Sequence, residues 1–176
     1  MNLSKKKCVG LSMLLASLLI FAGNARGQQQ PSEVPQRPST RAAKERFVGV
    51  WKLVSYEVGA SHPMGRGAVG LLIYGADGHM SLQIMRPDRP NFRSDGSKEG
   101  GYEVGNAQET QSAFRGYIAY FGTYEVEGKE RFVTHHIEGS LFPNWIGRDQ
   151  IEFFELSDDQ LTWGLDPIRY TWKRMK

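Results

Sequence analysis

Cysteine is nearly absent from this chain, which has one, Cys8, among its 176 residues. Cys8 lies at the front of an apolar run near the N-terminus, so the rest of the chain has no thiol and no disulfide to hold it. A domain without disulfides depends on its hydrophobic core, and 40% hydrophobic residues in a chain of this length supply one core. We therefore predict a single globular domain that is well packed.

A surplus of positive charge is also lacking once the first 27 residues are set aside. The chain has 22 basic and 19 acidic residues, but residues 1–27 hold four bases and no acid. Residues 28–176 therefore carry 18 bases against 19 acids, which leaves no broad cationic surface for a phosphate backbone. We expect no nucleic-acid partner.

The chain has one long hydrophobic run, residues 9–22, and its 14 residues fall short of the roughly 20 that span a bilayer. Three lysines precede the run and small residues follow it, which is the arrangement of a secretory signal peptide. Cleavage fits after Ala25 or after Gly27, and we favour Gly27. Residues 1–27 are predicted to be a signal peptide, with a secreted or periplasmic location and no membrane attachment after cleavage.

Residues 28–46 are predicted to be a flexible linker that ends in a short helical lead-in. Gln, Pro, Ser and Thr dominate its first part, and Ser39 is placed to cap a single helical turn. From residue 47 onward, period-2 alternation indicates eight strands, most of them joined by tight turns. These strands span 47–58, 69–74, 79–86, 120–126, 131–138, 149–156, 160–165 and 168–174. We predict an all-β, eight-stranded antiparallel barrel over residues 47–176, because closure removes sheet edges.

One segment interrupts the strands. Residues 87–105 form a predicted polar loop, and a loop of that length in a compact domain is usually functional or disordered. Asn106 and Glu109 resemble a capping box, and apolar residues then recur at helical spacing at Phe114, Tyr117, Ile118 and Phe121. We predict one helix between strands three and four that packs over one opening of the barrel, with the loop as its rim.

Several stretches of this sequence carry a resemblance to a known family, namely residues 47–56, 70–74, 80–87, 117–124 and 135–145. Together they resemble the bacterial and fungal lipocalin-like domain family over most of residues 47–165. The resemblance implies a lipocalin-like, calycin-type barrel that holds a small molecule. It also implies that Gly49 and Trp51, which form the Gly-x-Trp pattern, close the bottom of the barrel near an arginine of the last strand, for which Arg174 is the candidate.

The adjacent residues His135 and His136 are the first candidates for chemistry. Neighbouring residues on a strand face opposite ways, so the two imidazoles cannot easily share a metal, and His62 and His79 add no ligand spacing. We expect no metal and no cofactor. Alternation places His135 on the more apolar face, towards the interior, where it either packs with hydrogen bonds or orients a ligand.

Candidate ligand contacts combine polar-tipped strand residues, an arginine at the start of the long loop and an aromatic loop: Gln83, Arg86, Tyr120, Tyr124, His135, Phe142 and Trp145. Arg86 belongs to a cluster with Arg89 and Arg93 that suits a carboxylate or phosphate. Ordinary strand pairing, solvated arginines and a local hydrophobic clamp remain open as structural explanations.

The chain lacks a Gly-x-Ser-x-Gly motif and a glycine-rich phosphate loop in strand–helix context. We predict an exported binding protein for a small apolar or amphipathic molecule. One alternative is a cofactor-free isomerase or cyclase-type enzyme in which His135 or His136, with Glu138, moves a proton. Another is a secreted interaction module that uses the loop from Phe142 to Trp145 and has a filled barrel. The sequence does not define the oligomeric state.

Overall fold

The structure is a computed structural model that describes residues 39–93 and 105–176. The predicted signal peptide and most of the predicted linker lie outside the described residues. Eight antiparallel strands pair in chain order, and β1 pairs with β8, so the sheet closes on itself. The strands are β1 (Gly49–Val58), β2 (Val69–Tyr74), β3 (His79–Met85), β4 (Tyr117–Glu127), β5 (Phe132–Ser140), β6 (Asp149–Leu156), β7 (Gln160–Gly164) and β8 (Ile168–Arg174). The predicted closed eight-stranded antiparallel barrel is confirmed.

The described residues contain two α-helices, whereas the predicted fold class names one, between strands three and four, and treats the helical lead-in as a single turn. Helix α1 (Thr40–Phe47) precedes β1, and helix α2 (Ala107–Arg115) follows β3 and precedes β4. Ser39 caps α1 by accepting a hydrogen bond from the backbone N–H of Ala42, and the helix runs for eight residues where a single turn was expected. A 3₁₀ turn (Pro143–Trp145) lies between β5 and β6.

The second half of the predicted helical stripe belongs to a strand. Helix α2 ends at Arg115, and β4 starts at Tyr117. Aromatic and β-branched residues favour strands, and every second side chain from Ile118 to Val126 is buried. The helical spacing of Tyr117, Ile118 and Phe121 was therefore a coincidence within a period-2 pattern, and the alternation identifies the strand.

Helix α1 covers one end of the barrel, which we call the closed end. Ala43 and Phe47 are buried there, and the Phe47 ring meets the rings of Tyr74 and Phe154 edge to face at 5.1 and 4.8 Å. The indole N–H of Trp51 donates to the carbonyl of Phe47 at 2.9 Å. Helix α2 buries no residue. The closed end is therefore covered by α1, which precedes the barrel, and not by the helix between strands three and four.

Arg174 ties the end of β8 to the start of β1 at the closed end. Its guanidinium lies 4.0 Å from the centre of the Trp51 ring and donates to the carbonyls of Val48, at 2.8 Å, and of Arg46. Gly49 has a φ of +138°, and a Cβ there would lie 2.9 Å from Nη1 of Arg174. Only glycine therefore combines this backbone conformation with this close approach.

A β-bulge changes which side chains of β1 face inward. The register between β1 and β8 shifts between Leu53 and Ser55, and Tyr56 then pairs with Tyr170. The two tyrosine rings stack at 4.5 Å with an interplanar angle of 3°. Both therefore lie on the inner face, although simple alternation from Trp51 and Leu53 predicts Tyr56 on the outer face. Within residues 39–93 and 105–176, no helix combines the length and apolarity needed to cross a membrane.

Candidate functional site

The end of the barrel opposite α1 is the more accessible one, and we call it the open end. Loops 59–68 and 141–148 lie there, and the inward-facing side chains nearest to it are only half buried. We call the following inward-facing residues the interior cup: Tyr56, Tyr120, Gln150, Glu152, Trp163 and Tyr170. Their inward direction follows from register, because residues paired across an antiparallel ladder share a face. Gln150 pairs with buried His135, and Glu152 pairs with buried Val133.

His135 lies beneath the interior cup and is 0% exposed. Its Nε2 is 2.7 Å from the hydroxyl of Tyr74, and its Nδ1 is 3.1 Å from the hydroxyl of Tyr120. Burial, with a smaller contribution from the nearby His136, lowers the pKa of His135 to about 3. The imidazole is therefore neutral at physiological pH, and both of its ring nitrogens have a partner.

The neutral imidazole fixes the direction of these two hydrogen bonds. One ring nitrogen carries a proton and donates it, whereas the other accepts from a tyrosine hydroxyl. Burial raises the pKa of Tyr74 and of Tyr120, so both phenols stay protonated. The tyrosine that accepts a hydrogen bond from the ring still has its own hydroxyl proton to donate. Among the described residues, that hydroxyl proton has no acceptor. The cluster is uncharged and retains one donor.

Two buried indoles in the barrel wall have no hydrogen-bond partner among the described residues. Trp163 is 2% exposed and Trp172 is 0% exposed, and the Nε1–H of each is unpaired. A buried donor without an acceptor costs roughly 1–3 kcal/mol, so native proteins seldom leave one unpaired. The Trp163 ring lies 4.3 Å from the ring of Tyr170 and 5.4 Å from that of His135. These indoles add two unused donors to an aromatic interior.

Glu152 is the acidic member of the interior cup. It faces inward, is partly buried and makes no hydrogen bond or ion pair with another described residue. Burial raises its pKa to about 7. Its charge acts on Tyr74, Tyr120 and Tyr170, which contributes to the raised pKa of each phenol. Three inward-facing tyrosines therefore lie within the electrostatic field of Glu152.

Four of the predicted ligand contacts lie at or near the interior cup. Tyr120 is part of it and His135 lies below it, while Phe142 and Trp145 line the rim of the open end. The Trp145 ring is 6.0 Å from the Tyr120 ring and 4.9 Å from the Phe142 ring. Phe142 also meets Phe114 of α2 at 5.2 Å. The aromatic loop thus packs locally at the rim and also reaches a residue of the cup.

The other three predicted ligand contacts, Gln83, Tyr124 and Arg86, lie away from the interior cup. On β3 the buried residues are Met80, Leu82 and Ile84, so Gln83 points outward, where its amide lies 2.5 Å from the hydroxyl of Ser81. The expected interior position of Gln83 is therefore corrected. Tyr124 is inward but lies towards the closed end, and its hydroxyl donates to the carbonyl of Gly75 at 3.0 Å.

Two of the three arginines at the start of the long loop, Arg86 and Arg93, already have acidic partners. Arg86 donates two hydrogen bonds to the carboxylate of Asp88, at 3.0 and 2.8 Å, and this contact lowers the pKa of Asp88. Arg93 lies 3.8 Å from Glu109 of α2. Arg89 stacks over the Tyr117 ring at 5.1 Å. Arg86 therefore lies outside the interior cup, in an ion pair that competes with any anionic ligand.

The residues proposed for the enzyme alternative do not converge. His136 faces outward and lies 2.7 Å from the carboxylate of Asp149, and Glu138 is exposed on the same outer face. His135 faces the interior. A proton relay from His135 through His136 to Glu138 would have to cross the barrel wall. Across the two described ranges, no group of three or more His, Cys, Asp and Glu residues could hold a metal ion.

Most members of the interior cup were missed by sequence reasoning, for a physical reason. Both faces of β6 are apolar, because Ile151 and Phe153 alternate with Phe154 and Leu156. Period-2 patterning therefore cannot decide whether Glu152 points inward. The register between β5 and β6 gives the direction of Glu152, because Glu152 pairs with the inward-facing Val133. That register depends on the loop that connects the two strands.

Comparisons with known proteins agree with the fold and with ligand binding. The family model described as a lipocalin-like domain matches residues 48–174. The 4'-hydroxy-3'-methoxypropiophenone carrier protein of Aspergillus oryzae is 35% identical over 88 residues, which are 47% of this chain and 75% of that protein.

Two solved structures match the chain at low sequence identity. A lipocalin-like protein of Bacteroides uniformis has 11% identity and a TM-score of 0.42, covering 74% of this chain and 99% of its own. A protein of Bacteroides eggerthii has 12% identity and a TM-score of 0.41, and the match covers 73% of this chain and 99% of that protein. The barrel and the family-model match together support small-molecule binding in general. The chain belongs to the lipocalin-like domain family.

Proposed function

We propose that this protein is an exported small-molecule binding protein that holds an aromatic, largely apolar molecule in the interior cup. The ligand's ring would pack between the aromatic walls, which are formed by stacked Tyr56 and Tyr170 and by Trp163. An oxygen acceptor on the ligand, such as a ketone, would take the donors that the barrel leaves unused. Burial of the apolar body supplies affinity, and these donors fix its orientation.

The observation that carries this proposal is the pair of unpaired indole donors. Trp163 and Trp172 are almost fully buried, and their N–H groups have no acceptor among the described residues. A ligand oxygen within the barrel would remove the cost of that desolvation, which no rearrangement of an apolar wall can do. The relative named as a carrier of 4'-hydroxy-3'-methoxypropiophenone supports the same class, since that compound is an aromatic ketone.

Calorimetric titration with 4'-hydroxypropiophenone tests the proposal. We expect saturable binding of one molecule per chain. Trp163→Phe keeps an aromatic ring but removes the donor, so it should weaken binding roughly fivefold to tenfold, the value of one neutral hydrogen bond. Gln83→Ala on the outer face is the matched control and should leave affinity unchanged. Absence of saturable binding, or an equal loss in both variants, would contradict the proposal.

Export is tested separately, by expressing the full chain and fractionating the cells. We expect the protein outside the cytoplasm, with an intact mass that begins at Gln28 after cleavage behind Gly27. A full-length mass in the cytoplasmic fraction would overturn the export part of the proposal and leave the binding part to the titration.

A further inference from the structure

We propose that Glu152 determines which ligands the interior cup accepts, because its carboxylate accepts a hydrogen bond from a hydroxyl group on the ligand. This inference rests on the proposed function and narrows it. The ligand would be a neutral aromatic molecule with two polar ends, a carbonyl oxygen directed to the indole donors and a hydroxyl group directed to Glu152. The cup would therefore bind a hydroxyaryl ketone more tightly than the same ketone without the hydroxyl proton.

The first support is the placement of Glu152 among aromatic side chains. It pairs with Val133, which is 0% exposed, and it precedes by two residues Phe154, which pairs with Trp163. Its carboxylate thus lies on the inner face beside the aromatic wall. A carboxylate without a partner in such a place is expensive, because it has lost water and gained no donor. A ligand hydroxyl supplies the missing donor.

The second support is the complementary supply of hydrogen-bonding groups inside the barrel. Trp163 and Trp172 offer donors and can accept nothing, whereas ionised Glu152 accepts and cannot donate. A molecule with only a carbonyl would satisfy the indoles and leave the carboxylate bare. A molecule with only a hydroxyl would do the reverse. One ligand with both groups satisfies all of these side chains.

The third support is that Glu152, among the inward-facing side chains around it, is the one whose charge changes near neutral pH. The other titratable groups that face it are Tyr74 of β2, Tyr120 of β4, His135 of β5, and Tyr170 of β8, stacked on Tyr56 of β1. Burial raises the pKa of Tyr74, Tyr120 and Tyr170, and lowers the pKa of His135 to about 3. The pKa of Glu152, about 7, is the one that lies near neutrality in this set. No described lysine or arginine pairs with it.

A pH dependence of known sign follows. A hydroxyl donates strongly to a carboxylate and weakly to a protonated carboxyl, so the preference for the hydroxyl ligand should be present above pH 7 and fade below it. A ligand that lacks the hydroxyl proton gains nothing from ionisation of Glu152. Its affinity should stay level or rise slightly on acidification.

The experiment compares 4'-hydroxypropiophenone with 4'-methoxypropiophenone, in which a methyl group replaces the hydroxyl proton. A steric effect of the methyl group is the same at both pH values, so the pH dependence of the preference reports on Glu152. Calorimetric titrations at pH 7.5 and pH 5.5 use the wild-type protein, Glu152→Gln and Glu155→Gln. Glu155 lies on the same strand but is exposed on the outer face, so its variant is the matched control. In the wild type and in Glu155→Gln, we expect the hydroxy compound to bind roughly tenfold more tightly than the methoxy compound at pH 7.5. At pH 5.5 this ratio of affinities should fall below about threefold.

Glu152→Gln keeps the shape and removes the charge, so its preference for the hydroxy compound should be small and equal at both pH values. If the wild type binds both compounds equally at pH 7.5, or if Glu152→Gln keeps the pH-dependent preference, the inference is wrong while the proposed function stands. If neither compound binds the wild type, both proposals fail. Circular dichroism of each variant checks that the fold is retained.

Discussion

The two ends of the barrel differ in how completely their polar groups are satisfied. At the closed end, the indole of Trp51 donates to Phe47, Arg174 donates to two backbone carbonyls, and Tyr124 donates to Gly75. Nearer the open end, Glu152 has no partner and the buried Trp163 keeps an unused donor. Trp172, which pairs with Leu53 and Leu161 deeper in the barrel, also keeps an unused donor. The polar side chains that hold the closed end together are therefore satisfied, whereas those that face the interior are not.

This difference separates a structural role from a binding role. Satisfied buried groups stabilise one arrangement of the chain, and their removal should cost folding free energy. Unsatisfied groups reduce stability in the free protein, and a ligand that pairs with them regains that free energy. Substitutions at the closed end should therefore lower stability. Substitutions that remove only an unpaired polar group of the interior cup, such as Trp163→Phe and Glu152→Gln, should change affinity and leave stability equal or higher.

The largest effect is expected from Trp51→Ala at the closed end. Trp51 is fully buried, bonds to Phe47 and lies beneath Arg174. Its truncation should lower the free energy of unfolding by about 3–5 kcal/mol. Urea denaturation at pH 7 measures this, with Ile151→Ala, at a side chain exposed on the outer face, as a control that should change stability by less than about 1 kcal/mol. Equal decreases in the free energy of unfolding for Trp51→Ala and Ile151→Ala would contradict the structural role assigned to the closed end.

The next effect is a loss of stability on acidification that comes from His135. Its pKa is about 3 in the folded protein, below its ordinary value of 6.5, so the unfolded chain takes up the proton first. Stability due to this group is present above pH 6.5 and decreases as the pH falls, by about 3 kcal/mol at pH 4. The difference in unfolding free energy between wild type and His135→Gln should narrow by that amount. A difference between wild type and His135→Gln that stays constant as the pH falls would contradict the burial of His135 in its neutral form.

The smallest effect has the opposite sign and belongs to Glu152. Its folded pKa, about 7, lies above its ordinary value of 4.5, so the folded protein holds the proton longer than the unfolded chain does. Stability due to this group is present at low pH and is lost as the pH rises through 7. Glu152→Gln should therefore raise the free energy of unfolding at pH 8 by about 1–2 kcal/mol, after allowance for solvent screening, and change it little at pH 4.5. A destabilised Glu152→Gln at pH 8, measured by urea denaturation beside Glu155→Gln, would show that the carboxylate has a structural partner.

The sequence predicts the barrel well because strand alternation and tight turns are local signals. The starts of β2, β3, β6, β7 and β8 fall where the pattern places them, and the structure corrects β4, whose aromatic residues also match a helical period. The interior cup is predicted poorly, because it depends on register and on one bulge. The inward turn of Tyr56 follows from the bulge after Leu53, and the inward position of Glu152 follows from its pairing with Val133. Neither signal is local.

The most direct test of interior binding uses the indole N–H resonances of the four tryptophans in a ¹H–¹⁵N spectrum. On addition of 4'-hydroxypropiophenone, the Nε1–H signals of Trp163 and Trp172 should move downfield as they gain an acceptor. The signal of Trp51, which already donates to Phe47, should stay in place as an internal reference. If the compound binds but only the rim residue Trp145 responds, the ligand lies outside the barrel, and the claim that unpaired interior donors form the binding site is contradicted.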